Sequence, residues 1–341
     1  MSKFKDSEIE FFVKDGILKQ MSCSGKAKKA KIPSMLPNGE RITTIGEAFC
    51  HGEYSVIEIP DDIECVQDFA FQKAHVQKVR WSSSAKRISA HCFSLSTIES
   101  ISNIKDVEEI GIAAFNGSYL KTFSMPPKCK IIPDYCFFRS GLRSISGIGK
   151  VTEIGASAFA GCGMSEFVWP SDCKIIPRGC FDGNTLKTIS NIQDVEIIGI
   201  GAFRGTKNMT NFIWPKSCNA IPGDCFDSSG IKTIQDIEDV SYVGAGAFAH
   251  SAIEEITWPK NCTEIPSSCF YRSSLKKFPQ IDNISTIGLM AFCGIKPTTK
   301  IDMSNSSILS IEFAAFAEID KENIIFPYYM SEEEVKTALK F

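Results

Sequence analysis

The sequence is poor in the residues from which catalytic and metal sites are built. It holds four histidines in 341 residues, His51, His75, His91 and His250, none at metal-ligand spacing from a Cys, Asp or Glu. No C-x-x-C pair occurs, and six residues separate Cys129 from Cys136, which excludes zinc-ribbon and thioredoxin-like motifs. The run from Gly199 to Gly205 has the wrong glycine spacing for a dinucleotide loop. No Ser or Cys has a base marked out beside it, so neither catalysis nor a cofactor is expected. Long apolar runs are missing as well. No window approaches the roughly 18 apolar residues of a membrane helix. The opening MSKFKDSEIEFFVKDG has no apolar stretch of signal-peptide length, and a cytoplasmic location is expected on that ground. A net charge of −3 gives no global field for nucleic acid or an anionic membrane. The short basic run Lys26 to Lys31 reads as a solvated loop.

What the sequence has instead is repetition. The stretch Met164–Phe181, MSEFVWPSDCKIIPRGCF, returns as Met209–Phe226, MTNFIWPKSCNAIPGDCF, and as Ile253–Phe270, IEEITWPKNCTEIPSSCF. Between the copies lies a sister unit, for example Leu186–Phe203, LKTISNIQDVEIIGIGAF. Phe49, Phe71, Phe93, Phe115, Phe137, Phe159, Phe181, Phe203, Phe226, Phe248, Phe270, Phe292 and Phe316 follow one another at 22 residues, with one step of 23 and one of 24. About 13 repeats of 22 residues in two alternating types predict a solenoid rather than a globular domain. Residues 45–316 form the repeats. Residues 1–44 read as an N-terminal cap, with a hairpin turning at Lys14-Asp15-Gly16, a degenerate first strand at Ala30–Pro33 and a turn at Pro37-Asn38-Gly39. Residues 317–341 read as a C-terminal cap. There Ser331-Glu332-Glu333-Glu334 is a capping box, and the helix after it places Val335, Ala338 and Leu339 on one face.

Within a repeat the alternation at Phe167, Val168 and Trp169 predicts a short strand with 167 and 169 inward and 168 outward. The following proline ends the strand for want of a donor. Next comes Ile-Gly or Ile-Pro, where Gly or Pro is expected to turn the chain back, then a small Ala or Cys and the Phe that fills the core. The tryptophans Trp81, Trp169, Trp214 and Trp258, with Met125 in the same slot, are expected inward. Asn103, Gly147, Asn191, Asp236 and Gln280 hold that slot in the sister turns and are expected inward too, as small or polar complements. Most of the 14 cysteines lie on the repeat lattice. Same-column cysteines fall two turns, about 10 Å, apart at strand spacing, beyond the roughly 7 Å limit for a bridge. Free buried thiols and a reducing compartment are therefore expected.

These repeats, including Ile45-Gly46-Glu47-Ala48-Phe49 after Ile32-Pro33 and Asn38-Gly39, resemble the leucine-rich repeats of the BspA-like (Treponema pallidum-type) class. The resemblance implies a right-handed curved coil with a parallel sheet on one face. It also implies adhesion or other protein binding at a cell surface, although the secretion signal or anchor of many relatives is not seen here. The outward strand positions are small or hydroxylated in most turns. Val168 and Ile213 break that pattern, two turns apart with Ser190 between. A basic column, Arg143, Lys187, Lys232 and Lys276, flanks them. The expected partner site is therefore Glu166, Val168, Lys187, Thr188, Ser190, Asn211, Ile213, Lys232 and Thr233. A protein partner is expected, with no nucleic acid, no membrane insertion and a monomeric chain. A self-assembling scaffold joined through a sheet edge or coil end is the alternative. Asn116, Asn208, Asn261, Asn283 and Asn305 head Asn-x-Ser/Thr sequons.

Overall fold

The computed structural model describes residues 2–6, 9–46, 50–280 and 283–340. Phe49 and the adjoining Glu47 and Ala48 lie outside them. The chain divides into two compact units, Met1–Met164 and Ser165–Phe341. Each is a solenoid of parallel short strands at 22-residue spacing. In the first unit Phe71, Phe93, Phe115, Phe137 and Phe159 stack nearly parallel, with ring centroids 5.2–5.8 Å apart. In the second, Phe181, Phe203, Phe226, Phe248, Phe270, Phe292 and Phe316 do the same at 5.3–5.8 Å. No turn can bury its Phe alone, because the two faces of each ring are covered by the rings of the neighbouring turns.

The turn that carries each Phe is built from left-handed backbone, and this corrects the expected role of Gly and Pro. The residues two before and two after the Phe have positive φ, such as Tyr135 (55°) and Arg139 (52°) about Phe137, or Ser268 (56°) and Arg272 (49°) about Phe270. Each such non-Gly residue costs about 1 kcal/mol. The alternation swings the N–H groups of those two residues and of the Phe itself toward the next turn. Tyr135, Phe137 and Arg139 accordingly donate to the carbonyls of Ala156, Ala158 and Ala160. At about 1 kcal/mol net per bond, three bonds in each junction offset the strain. The chain therefore turns back at these residues. Glycine has another task. In the sister turns Gly111, Gly155, Gly199, Gly244 and Gly288 lie against the backbone of the preceding turn, and a Cβ at Gly199 would collide with the Arg178 nitrogen beside Pro177.

The strands fall in two rows. One row has three-residue strands, in which Glu166–Val168 pairs with Thr188–Ser190, and Asn211–Ile213 with Thr233–Gln235. The other row has two-residue strands such as Ile175–Ile176 with Ile197–Ile198. Trp81, Trp169, Trp214 and Trp258 are buried. The first three donate their Nε1–H to the carbonyls of Ala85, Cys173 and Cys218 at 2.7–3.0 Å. The sister positions do not face inward. Asn103, Gly147, Asn191 and Asp236 adopt left-handed φ of 60–74°, which turns them out. Asn103 is half-buried; Gly147, Asn191, Asp236 and Gln280 are exposed. The Asn103 and Asn191 amides donate back to the Trp81 and Trp169 carbonyls at 2.8 and 2.7 Å. The pairing also fails in the second unit around Pro279. Pro279, which has no N–H to give to a ladder, replaces Ser190 or Gln235 in its turn. The segment facing it, Ile253–Trp258, forms no strand, and Trp258 Nε1 is buried without a partner.

At the N-terminus the hairpin turns at Asp15-Gly16 as expected, with φ of 51° and 71°. A further strand, Ser2–Asp6, pairs on its outer side. The second hairpin strand runs on from Ile17 to Lys31, so Lys26–Lys31 is not a loop; it pairs in parallel with Cys50–Glu58. At the other end the capping box at Ser331 forms, starting the helix Glu332–Leu339. Ala338 is buried, and Val335 and Leu339 are half-buried. The last carbonyls of this helix, on Thr337 and Ala338, accept from the N–H groups of Ala314 and Phe316, both at 2.9 Å. A helix C-terminus, which leaves carbonyls unpaired, thus closes the ladder that the final turn leaves open.

All described cysteine side chains are unbridged, and those in the column before the Phe, for example Cys136, Cys180, Cys225 and Cys269, are buried. Burial pushes the Cys129, Cys162 and Cys262 thiols up to about 11 and the Cys136, Cys225 and Cys269 thiols well above their ordinary value.

Replacing Phe226 by Ala should destabilise the protein by about 3–5 kcal/mol through the cavity left in the stack. Gly199→Ala should cost about 1–3 kcal/mol by overpacking, despite the lower chain entropy of Ala in the unfolded state; urea denaturation measures both. Thiols whose folded pKa is raised contribute stability that is whole below the unfolded value of about 8.5 and is lost as pH climbs toward the folded value. The melting temperature should therefore fall steadily between pH 8.5 and about 11. At pH 8 a disulfide reagent should modify exposed Cys65 in the native protein and reach the column cysteines only after denaturant is added.

Candidate functional site

The site expected from the sequence lies within the second unit, where four strands set its residues by period two. Glu166 and Val168 flank buried Phe167, Thr188 and Ser190 flank half-buried Ile189, and Asn211 and Ile213 flank buried Phe212. Glu166 faces Thr188 and Val168 faces Ser190 in register, as Asn211 faces Thr233. Val168 and Ile213 are each 61% exposed, which places two branched aliphatics in water on the same face, two turns apart. Thr233 is half-buried and donates its hydroxyl to the Asn211 side-chain oxygen at 2.7 Å. Lys187 and Lys232 stand one residue before their strands.

The basic column is not a row of free charges. Glu254, at the intervening turn, takes Lys276 at 2.7 Å and Lys232 at 3.7 Å, and the neighbouring cations hold its carboxyl below the ordinary range. Lys187 has no carboxylate within ion-pair distance among the described residues. Arg143 belongs to the other unit. Glu254 escapes the doublet period of the basic column because it lies on the turn between Lys232 and Lys276.

Between the two strand pairs the ladder stops: Thr188–Ser190 and Asn211–Ile213 are neighbours in the coil but are not paired. A cleft of about 430 Å³ opens there, lined by Ile189, Ile192, Phe212, Ile213, Trp214 and Pro215 with Thr188, Ser190, Gln193, Asn211, Lys216 and Asp236. Its lining is apolar in the middle and polar at the rim, and unpaired strand edges border it. A second cleft, of about 400 Å³, opens where Pro279 interrupts the ladder, against Ile256, Trp258 and Phe278. Neither cleft has a residue signature, since each comes from a missing bond between turns. The other row of strands carries a feature legible in the sequence. Ile175, Ile197 and Tyr242 are about half exposed or more, side by side with Ala220. Two adjacent isoleucines in a two-residue strand, Ile175-Ile176 and Ile197-Ile198, must send one outward.

No group of three or more His, Cys, Asp or Glu side chains that could hold a metal ion occurs among the described residues. No helix of the described residues is long and apolar enough to cross a membrane. Of the sequon asparagines, Asn116 is half-buried and Asn208, Asn261, Asn283 and Asn305 are exposed.

Comparison with known proteins agrees with this architecture. A family model described as the BspA type leucine-rich repeat region matches in six copies, over residues 43–165, 152–277 and 263–336. Among solved structures, a leucine-rich cell surface protein from Faecalibacterium prausnitzii is similar at 18% identity. The match covers 99% of this chain and 98% of that one, with a TM-score of 0.59. A leucine-rich repeat protein from Bacteroides ovatus is similar at 20% identity over 88% of this chain and 94% of that one, with a TM-score of 0.50. At these identities the likeness is one of fold. No curated protein matches the chain at a significant level.

Proposed function

Since the chain belongs to the BspA-type leucine-rich repeat family, we propose that it is a non-catalytic protein that binds another protein through the outer face of its three-residue strands. The observation that carries this reading is the pair Val168 and Ile213, both 61% exposed, beside the apolar cleft over Ile189, Phe212 and Trp214. Exposed aliphatics next to a preformed apolar recess with a polar rim match the anatomy of a protein contact. Glu166, Thr188, Ser190, Asn211 and Thr233 supply hydrogen-bonding groups around it, and Lys187 the free charge. An extended solenoid face is the usual binding surface of such folds.

The alternative, end-to-end self-assembly, is less well supported. The N–H groups of Ala314 and Phe316 that a second copy would need at the C-terminal end are already taken by the cap helix. The unbridged, buried thiols favour a reducing compartment, while a cell surface protein shares the fold.

A photo-crosslinking residue at Ile213 should capture a partner that the same residue at Lys300 does not. With that partner purified, Val168→Glu combined with Ile213→Glu should weaken binding at least tenfold, about 1.4 kcal/mol or more, with an unchanged circular dichroism spectrum. Unaltered affinity in the double variant would rule out this face. Concentration-dependent light scattering of the protein alone would favour self-assembly instead.

A further inference from the structure

The N-terminal sheet concentrates positive charge on a chain that is acidic as a whole. Its longer strands, Ser2–Asp6, Ile9–Lys14, Ile17–Lys31, Cys50–Glu58, His75–Arg80 and Ser100–Ser102, carry nine lysines and one arginine against four carboxylates, a net charge of +6. The whole chain is at −3. Register arranges part of this charge as an array. One outward row runs Lys29, Val56, Lys78, Ser100; the next runs Lys31, Glu58, Arg80, Ser102. Ala30, Ile57 and Val79 between them are buried, so the rows share the solvent face. Lys29 and Lys78 stand two strand spacings apart, about 9.6 Å, as do Lys31 and Arg80.

The array already holds an internal anion. The Glu58 carboxylate pairs with Lys29 at 2.8 Å and lies in the field of Arg80 and Lys31, which together hold its carboxyl below the ordinary range. Asp61 engages Arg80 with both oxygens, at 3.3 and 3.0 Å. Lys31 and Lys78 have no carboxylate within ion-pair distance among the described residues. Beyond Arg80 the same face turns to hydroxyls, with Ser100, Ser102, Thr122, Ser124, Ser144 and Ser146 all exposed.

We propose that this face binds a linear sulfated polysaccharide, with sulfate groups on Lys31 and Lys78 and sugar hydroxyls on the serine rows. Charge complementarity selects a polyanion. Three features choose among polyanions. The cations are nearly all lysine, which acts as a point charge and not as the planar fork suited to bidentate phosphate recognition. The two rows carry no aromatic on which a base could stack. Hydroxyl rows adjoining the cations suit a sugar chain and add nothing at a lipid surface, where lysines alone give the attraction.

Immobilised heparin is the probe, with the full chain eluted by salt. The protein should be retained at physiological ionic strength. Lys31→Glu with Lys78→Glu should lower affinity about tenfold or more and reduce the slope of log Kd against log salt by roughly two, one for each cation removed. Glu58→Gln, which removes the internal anion, should elute later than the parent protein, and Lys300→Glu should elute with it. Circular dichroism confirms that each variant is folded. Failure of the parent to be retained, or co-elution of the double variant with it, overturns the proposal. So does competition by duplex DNA or phosphatidylserine vesicles as effective as heparin per unit charge, which identifies a surface selective for charge alone. The outcome is independent of the partner site at Val168 and Ile213, which lies in the other unit.

Discussion

At each described junction between turns within a unit, three amide groups, on the Phe and on the residues two to either side, point along the coil and donate to carbonyls of the next turn. Everything else depends on this. The bonds hold the turns at a separation that lets successive Phe rings stack at 5.2–5.8 Å, so the apolar spine and the polar ladder share one spacing. The strands contribute less. Their ladders are two or three residues long and lapse between pairs, whereas the Phe-turn bonds recur at each junction within a unit. A solenoid of this kind tolerates gaps in its sheet because its coherence lies on the opposite side of the coil.

The doublet has a physical origin in the mismatch of two neighbours. One turn presents a Pro and a large Trp; the next presents a Gly that nests on the backbone beside that Pro, and an Asn whose amide returns to the Trp carbonyl. Each turn therefore fits its sister better than a copy of itself. The same alternation puts Cys and Ala by turns in front of the Phe, as at Cys136 and Ala158, or Cys225 and Ala247. Where the sister departs from type, as at Pro279, the ladder opposite fails and a tryptophan is left without a partner.

Much of this was legible because it rests on residue type. Phe at 22-residue intervals, Asp15-Gly16 at the hairpin, Ser331 at the helix start and Trp on the buried side of a period-two strand each announce their structure. The left-handed residues were not. Leu95, Tyr135 and Met290 have side chains that disfavour positive φ, and the neighbouring turns impose it on them. The expectation that Asn103 and Asn191 face inward failed for the same reason: period two ends where the backbone turns left-handed. Lys26–Lys31 reads as a loop by its charge alone, yet Lys29-Ala30-Lys31 alternates as a strand does. Val168 and Ile213 were found by their chemistry; the cleft between them and the Glu254 ion pairs, being relations between turns, were not.

The terminal helix answers to one generic feature, a pair of amides that any last turn would offer. Nothing in that junction identifies which turn precedes it. Coils of this design can thus lengthen or shorten by duplication without a new lid, but only in steps of 44 residues. A gain of a single turn would set Pro against Pro or Gly against Gly, and the register of large and small would be lost from that point onward.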